Sequence, residues 1–334
     1  MTPDLLQKKP VIFLVGPTAS GKSDISIRLA GRLKAEIVSA DSMLVYKGMN
    51  IGTAKPSVNE RMKIRHHLID IVSPRVSFSV YQYRKNALSV IRDILNRGRI
   101  PLIVGGSGLY LEALQKGLSA QPKTNPKFRK KLDQEIKQKG LEWFYELLKK
   151  IDPKRAAKIH PHDRKRIIRA LEIIHFSGDT ASETYASREG LAGMGFNVKI
   201  WGIRRYREDL YERINRRVGA MFRNGFILEV KRLKKNGFSK TAREALGYRE
   251  ILEYLKQCRG GVSPPKNVER GDLAPTTLIE LIQKRTRQFA KRQLTWFRRA
   301  PEIRWIDWQQ SETASQVCDK IIKEIDEWLE TELF

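Results

Sequence analysis

Apolar residues in the first third of the chain fall into short continuous runs separated by stretches with helical spacing. Val11–Val15 is unbroken and rich in β-branched residues, which predicts a strand buried on both faces. Ser23–Leu33 then has the spacing of a helix. Glu36–Ala40 predicts a second strand and His67–Val72 a weaker one. Ser79–Arg97 has helix-forming composition and stops at Gly98, a C-cap residue. Ile100–Val104 returns as a strand running into Gly105-Gly106. Strands alternating with helices imply crossover connections and a parallel sheet. From Pro122 to about His175 the spacing is helical and no strand is evident. Gly178–Gly195, rich in Ser, Thr, Gly and Ala, predicts a loop. Val198–Ile203 restores a strand, and helices dominate from Glu208 onward. Arg259–Pro275 has several Gly and Pro and no period, so it predicts a second long loop. The expected architecture is α/β: a parallel-sheet core from 1–121 and 198–334, with a helical insertion at 122–197.

At 334 residues the chain is long enough for two domains and a sizeable core. Charge adds a statement about partners. Lys+Arg 64 less Asp+Glu 37 leaves +27, which favours a polyanion such as nucleic acid. The stretch Lys123–Arg169 contributes 16 Lys/Arg, against 7 Asp/Glu between Pro122 and His175. Cys258 and Cys318 cannot build a disulfide framework or a four-ligand zinc site by themselves. Met1–Pro10 lacks the apolar segment of a secretory signal, and no apolar run approaches the roughly 18 residues of a membrane span. A basic, cytoplasmic enzyme or binding protein remains.

Gly16-Pro17-Thr18-Ala19-Ser20-Gly21-Lys22-Ser23 fits G-x-x-x-x-G-K-[ST], directly after a buried strand and before a helix. That is the setting of a P-loop in a P-loop NTPase-like sheet, the pattern of nucleotide- and ATP-binding loops. Its glycines let backbone N–H groups turn toward an anion at a helix N-terminus. Lys22 reaches the outer phosphates, and the Ser23 hydroxyl suits magnesium. One expected part is missing. A phosphoryl-transfer enzyme ends a later strand in a metal-holding aspartate. Ile100–Val104 runs instead into Gly105-Gly106-Ser107-Gly108, and Leu68-Ile69-Asp70 is a poor substitute. The loop would then grip a phosphate group that is not itself transferred. Asp41 follows the strand Glu36–Ala40 at the carboxyl edge where open α/β sheets bind ligands, and Ser107 should reach the same edge. Alternatively, Asp41 caps a helix or turn with Ser42.

In their order and spacing these residues resemble the tRNA dimethylallyltransferases. The matching segments are Gly16–Ser23, Ser39–Leu44, Tyr46–Pro56, Leu102–Tyr110, Asp163–Leu171, Leu246–Arg249 and Lys291–Arg298, spread over most of the chain. The resemblance implies transfer of a dimethylallyl group from dimethylallyl diphosphate to N6 of adenosine 37 beside the tRNA anticodon, releasing diphosphate. It makes the P-loop the diphosphate cradle with Mg2+, and Asp41 the general base, with Lys22 and Ser107 completing the catalytic set. The family commonly has a threonine where this chain has Ser107, so the serine rotamer should be less restrained. By the same resemblance Asp41, Ser42, Met43 and Leu44 would meet the flipped base, and Ser107, also counted among the tRNA-binding residues, would hydrogen-bond the substrate near its scissile oxygen. Arg129, Lys165, Arg166, Ile167, Ile168 and Arg169 of the insertion would meet the anticodon stem. Gly247, Tyr248, Arg249, Lys291, Arg292 and Arg298 complete the RNA contacts. A monomer is expected.

Three plainer readings concern packing. Ile282, Phe289 and Trp296 share a helical face opposite Lys284, Lys291 and Arg298, which a solvated charged face on a packed helix would explain. His66 and His67, as strand neighbours, should point to opposite faces and not hold a metal. Trp143, Phe144 and Tyr145 should anchor the insertion's core. Two other functions fit the P-loop: a small-molecule or nucleotide kinase, and a nucleotide-gated RNA-binding protein. An enzyme acting on free AMP fits the catalytic core, but gives the basic insertion nothing to hold.

Overall fold

A computed structural model describes residues 9–119, 122, 124–186, 188–257 and 276–331; Cys258 and the Arg259–Pro275 loop lie outside them. The first strand, β1 (Pro10–Val15), is buried at all six positions, as its unbroken apolar run requires. It leads through the P-loop into helix α1 (Lys22–Arg32). Then come β2 (Ala35–Ser39), α2 (Val58–Lys63), β3 (His66–His67), α3 (Val80–Asn96), β4 (Ile100–Gly105) and α4 (Gly108–Gln115). Ser79 and Gln82 form a reciprocal capping box at the start of α3. The weak strand expected over His67–Val72 shrinks to two residues, because Leu68 and Asp70 have φ of 61° and 56° and break the extended chain. His67 turns to Glu36 and His66 to the Ile64 carbonyl, so both are structural.

The chain divides into two compact units, Gln115–Met194 and the remainder. The smaller unit starts and ends a few residues before the expected limits. Gly190 explains this: its backbone lies so close to that of Gln115 that a side chain would not fit. Within this unit are α5 (Pro126–Lys139), α6 (Leu141–Ile151), α7 (Pro153–Ala156), α8 (Arg164–Ser177) and α9 (Ala181–Ala186). Helix α9 lies where a loop was predicted. Thr180 and Glu183 exchange hydrogen bonds at its start, and Ala181 is buried, so a polar, small-residue stretch still makes a helix. Phe144, Leu148, Ile167 and Ile173 lie at the centre of its core. Trp143 does not join them. It is 47% exposed, with the Lys139 ammonium 4.6 Å from its ring centroid.

The larger unit resumes with β5 (Asn197–Arg205), α10 (Arg207–Arg223), α11 (Phe226–Asn236), α12 (Lys240–Arg243), α13 (Tyr248–Gln257), α14 (Thr276–Phe297), β6 (Ile303–Trp308) and α15 (Ala314–Thr331). Six strands form one parallel sheet in the order β3-β2-β4-β1-β5-β6. Ile12, Leu14, Trp201 and Ile203 belong to a core cluster with Ile25 and Leu29 of α1 and Ile321 and Ile325 of α15. On α14 the buried residues are Leu278, Ile282, Ala290, Gln293 and Phe297, so of the predicted face Ile282 is buried while Phe289 and Trp296 are not. Phe289 borders the cleft described below, so its apolar ring faces an opening and not the core. Lys284, Lys291 and Arg298 are exposed, as the pattern requires.

Register brings the functional segments together. Val15 lies opposite Gly105 and Gly202, and Ser39 opposite Val104. The turns that follow β1, β2 and β4 therefore leave the sheet at one edge.

Candidate active site

That edge opens into a cleft of about 1,260 Å³. Thr18, Ala19, Gly21 to Ser23, Asp41 to Leu44, Gly105 to Ser107 and residues of α10, α13 and α14 border it. The P-loop has the backbone its glycines were chosen for. Gly16 and Gly21 have φ of 149° and 97°, and a Cβ on Gly16 would lie 2.6 Å from the Ile203 carbonyl oxygen. Only glycine fits that approach. The Lys22 ammonium donates to the Pro17 carbonyl at 2.6 Å. Burial, reinforced by the nearby Arg217 and opposed by Asp41, lowers its pKa to about 7. Ser23 is exposed to the cleft, free to offer its hydroxyl to a metal.

Asp41 accepts the Met43 N–H at 2.8 Å, closing a local turn. Its charge also acts on Lys22 and Arg217 across the cleft. Turn-capping and an acidic cleft wall, posed as alternatives by the sequence, coexist in one carboxylate. Ser107 is less free than expected: its hydroxyl accepts the Ser42 N–H at 3.0 Å and lies 3.3 Å from the Ser42 hydroxyl. It thus ties the β4 turn to the Asp41 turn. Asp70, the poor candidate for a metal aspartate, is occupied by Lys55 at 2.5 Å and Arg61 at 2.9 Å.

Several site residues escaped the sequence reading. Arg213 donates to the Ala19 carbonyl at 3.0 Å, and Arg217 to the Thr18 hydroxyl and the Thr53 carbonyl, each at 3.3 Å. Their i, i+4 spacing beside the Leu210–Ile214–Val218 stripe was the only signal, and it is shared with many exposed helix faces. Gln293 is buried within the motif Lys291–Arg298 and joins two turns of the site. Glu229 accepts the N–H groups of Asn50, Ile51 and Gly52 at 2.9, 2.8 and 3.2 Å, and the Tyr248 hydroxyl at 2.5 Å. A buried glutamate in a helix gives no sequence signal of that kind.

The expected RNA contacts separate into two groups. Lys165, Arg166, Lys291, Arg292 and Arg298 are exposed. Tyr248, Ile167 and Ile168 are buried, so these side chains support neighbours and do not reach a surface. Gly247 is buried too, and a Cβ there would meet Phe226 at 2.7 Å. Arg249 is paired with Glu244 and Glu250. In the smaller unit, Arg129 and Arg169 both bind Glu172, whose carboxylate is wholly buried. Burial would push that carboxyl up, but Arg129, the Asn125 N–H and Arg169 hold it below the usual range. Among the described residues no cluster of three or more His, Cys, Asp or Glu side chains could hold a metal, and no helix is long and apolar enough to cross a membrane.

A P-loop at the edge of a parallel sheet, faced by an acidic turn and with Gly105-Gly106-Ser107 where β4 leaves the sheet, defines an α/β protein with a P-loop-like fold. A family model described as IPP transferase matches residues 44–300. The tRNA dimethylallyltransferase of Natranaerobius thermophilus is 43% identical over 328 residues, covering 96% of this chain and 93% of its own. That of Carboxydothermus hydrogenoformans is 43% identical over 316 residues, covering 94% and 96%. The crystal structure of the tRNA isopentenylpyrophosphate transferase of Bacillus halodurans superposes with a TM-score of 0.68 at 36% identity, covering 97% of each chain. A eukaryotic dimethylallyltransferase solved acting on tRNA gives 0.74 at 29% identity, covering 95% of this chain and 79% of that one. The chain belongs to the IPP transferase family.

Proposed function

We propose that the protein transfers the dimethylallyl group of dimethylallyl diphosphate to N6 of adenosine 37 in the anticodon loop of tRNA. The observation that carries this reading is the pairing of a phosphate cradle with a carboxylate across one cleft. The N6 lone pair is delocalised into the ring, so the amine is a poor nucleophile until its proton is removed. As the N6–C1 bond forms, the C1–O bond to diphosphate breaks and the N6 proton passes to the Asp41 carboxylate. Lys22, Arg213, Arg217 and the P-loop amides receive the charge that develops on the departing diphosphate. Ser107, through Ser42, holds the Asp41 turn in place. Magnesium, when bound, would neutralise part of the diphosphate charge. Ser23 is the protein hydroxyl that suits it, and the diphosphate itself would supply further oxygens.

The exposed cations Lys165 and Arg166, with Lys291, Arg292 and Arg298, would hold RNA phosphates, and a single chain supplies every group named, as in a monomer. A kinase is the weaker reading, because β4 ends in Gly105-Gly106-Ser107 and supplies no metal carboxylate.

The test is Asp41→Asn, which keeps size and removes the base. With saturating dimethylallyl diphosphate and unmodified tRNA, the single-turnover rate should fall by roughly 10²–10⁴. Binding of the diphosphate should barely change. A wild-type rate would remove Asp41 from the mechanism, and a large loss of diphosphate binding would make it a metal ligand, as in a kinase.

A further inference from the structure

Gln293 lies near the C-terminal end of α14, far in sequence from both the P-loop and β4, and it is 8% exposed. Its amide is used at both ends. Oε1 accepts the Thr18 N–H of the P-loop at 2.8 Å, and Nε2 donates to the Gly106 carbonyl at 2.9 Å. Gly106 has no room for anything larger: a Cβ there would lie 2.4 Å from Gln293 Nε2 and 3.1 Å from the Gly16 carbonyl oxygen. The next residue is Ser107, whose hydroxyl accepts the Ser42 N–H, and Ser42 follows Asp41. One side chain therefore closes a continuous link from the diphosphate cradle to the turn that carries the carboxylate.

We infer that Gln293 is a positioning residue that sets the spacing between leaving-group cradle and general base by clasping Thr18 to Gly106. This rests on the proposed prenyl transfer. That displacement needs the entering nitrogen, C1 and the leaving oxygen in line. Its rate is then sensitive to small shifts of one turn against the other. The clasp needs a donor and an acceptor at this reach: asparagine is too short to span it, and leucine has neither donor nor acceptor.

Four variants test this. Gln293→Leu keeps the volume and removes both bonds. Gly106→Ala leaves the glutamine in place but displaces its amide. In each, the single-turnover rate should fall about 10–100-fold with tRNA affinity unchanged. Inorganic diphosphate should bind several-fold more weakly, because the P-loop loses its fixed Thr18. The double variant should be little worse than either single one, as expected for two lesions of one link.

Gln293→Glu gives a readout that mere packing would not move. A protonated carboxyl can accept from Thr18 and donate to Gly106, whereas the ionised form offers no donor and faces a carbonyl oxygen. Its rate relative to wild type should therefore rise as the pH is lowered. Wild-type rates and diphosphate affinities in Gln293→Leu and Gly106→Ala, or a pH-independent ratio for Gln293→Glu, would overturn the inference. If the wild-type protein itself fails to prenylate tRNA, the functional reading falls, and the diphosphate titrations alone decide the clasp.

Discussion

Lys22 binds fewer protons in the folded protein than in the unfolded chain between pH 7 and its ordinary value of 10.5, because burial and Arg217 disfavour its charge. Stability of the ligand-free protein should therefore rise with pH through that window, the unfolded state holding the extra proton. A diphosphate reverses the preference, since an anion beside the ammonium favours the protonated form. Binding of dimethylallyl diphosphate should take up a proton and weaken as pH climbs above 7. Calorimetric titrations in two buffers of different ionisation enthalpy check this; identical heats would reject it. Lys22→Ala should greatly weaken diphosphate use while the fold survives, and turnover equal to wild type at limiting substrate would deny Lys22 that role. Asp41 and Ser107 were legible because each lies two residues past the end of a strand, and Lys22 because its motif spans the turn from β1 into α1, so the carboxyl edge of the sheet fixes their place. Arg217 and Gln293 were not, because their meaning comes from what α10 and α14 pack against and not from their neighbours in sequence.

Elements show the same division. Strands β1, β2 and β4 were legible as short apolar runs, since a strand buried on both faces needs no alternation. Helix α9 was hidden by its small polar residues, and β3 was overread because nothing in His67–Val72 announces two left-handed backbones. The face of α14 was misplaced for a different reason: one side of that helix meets the cleft, and an aromatic ring there looks like core. The segment after Asp41 is held by α11 through Glu229, which gathers three backbone N–H groups and a tyrosine hydroxyl. Glu229→Gln replaces one acceptor oxygen with a donor facing groups that themselves donate. The loss should be about 1–3 kcal/mol, the cost of leaving a buried polar group unsatisfied. Urea denaturation measures it, and hydrogen exchange at residues 50–52 should quicken more than in the β-sheet. Equal exchange in wild type and variant would show that the segment is held elsewhere.

Across the whole molecule, the charge of +27 divides into cations that hold the protein together and cations left for a polyanion. Composition cannot make that division, and geometry does. Arg129 and Arg166 stood as equivalent candidates in the sequence, yet Arg129 clamps the buried Glu172 while Arg166 is 63% exposed beside Asp163. The two should fail differently. Arg166→Ala should leave thermal stability unchanged and weaken tRNA binding through one phosphate contact. The slope of log affinity against log salt should then become shallower by roughly 0.7–0.9. Arg129→Ala should instead lower the melting temperature, because it leaves the Glu172 carboxylate buried with fewer partners. Adding Glu172→Gln to Arg129→Ala should recover part of that loss, since the orphaned charge is gone. Melting curves of the three variants, with tRNA titrations at several salt concentrations, separate the roles. If Arg166→Ala leaves both affinity and salt slope at wild-type values, α8 does not hold the RNA, and the basic surface that binds it has to be sought along Lys284, Lys291 and Arg298 of α14.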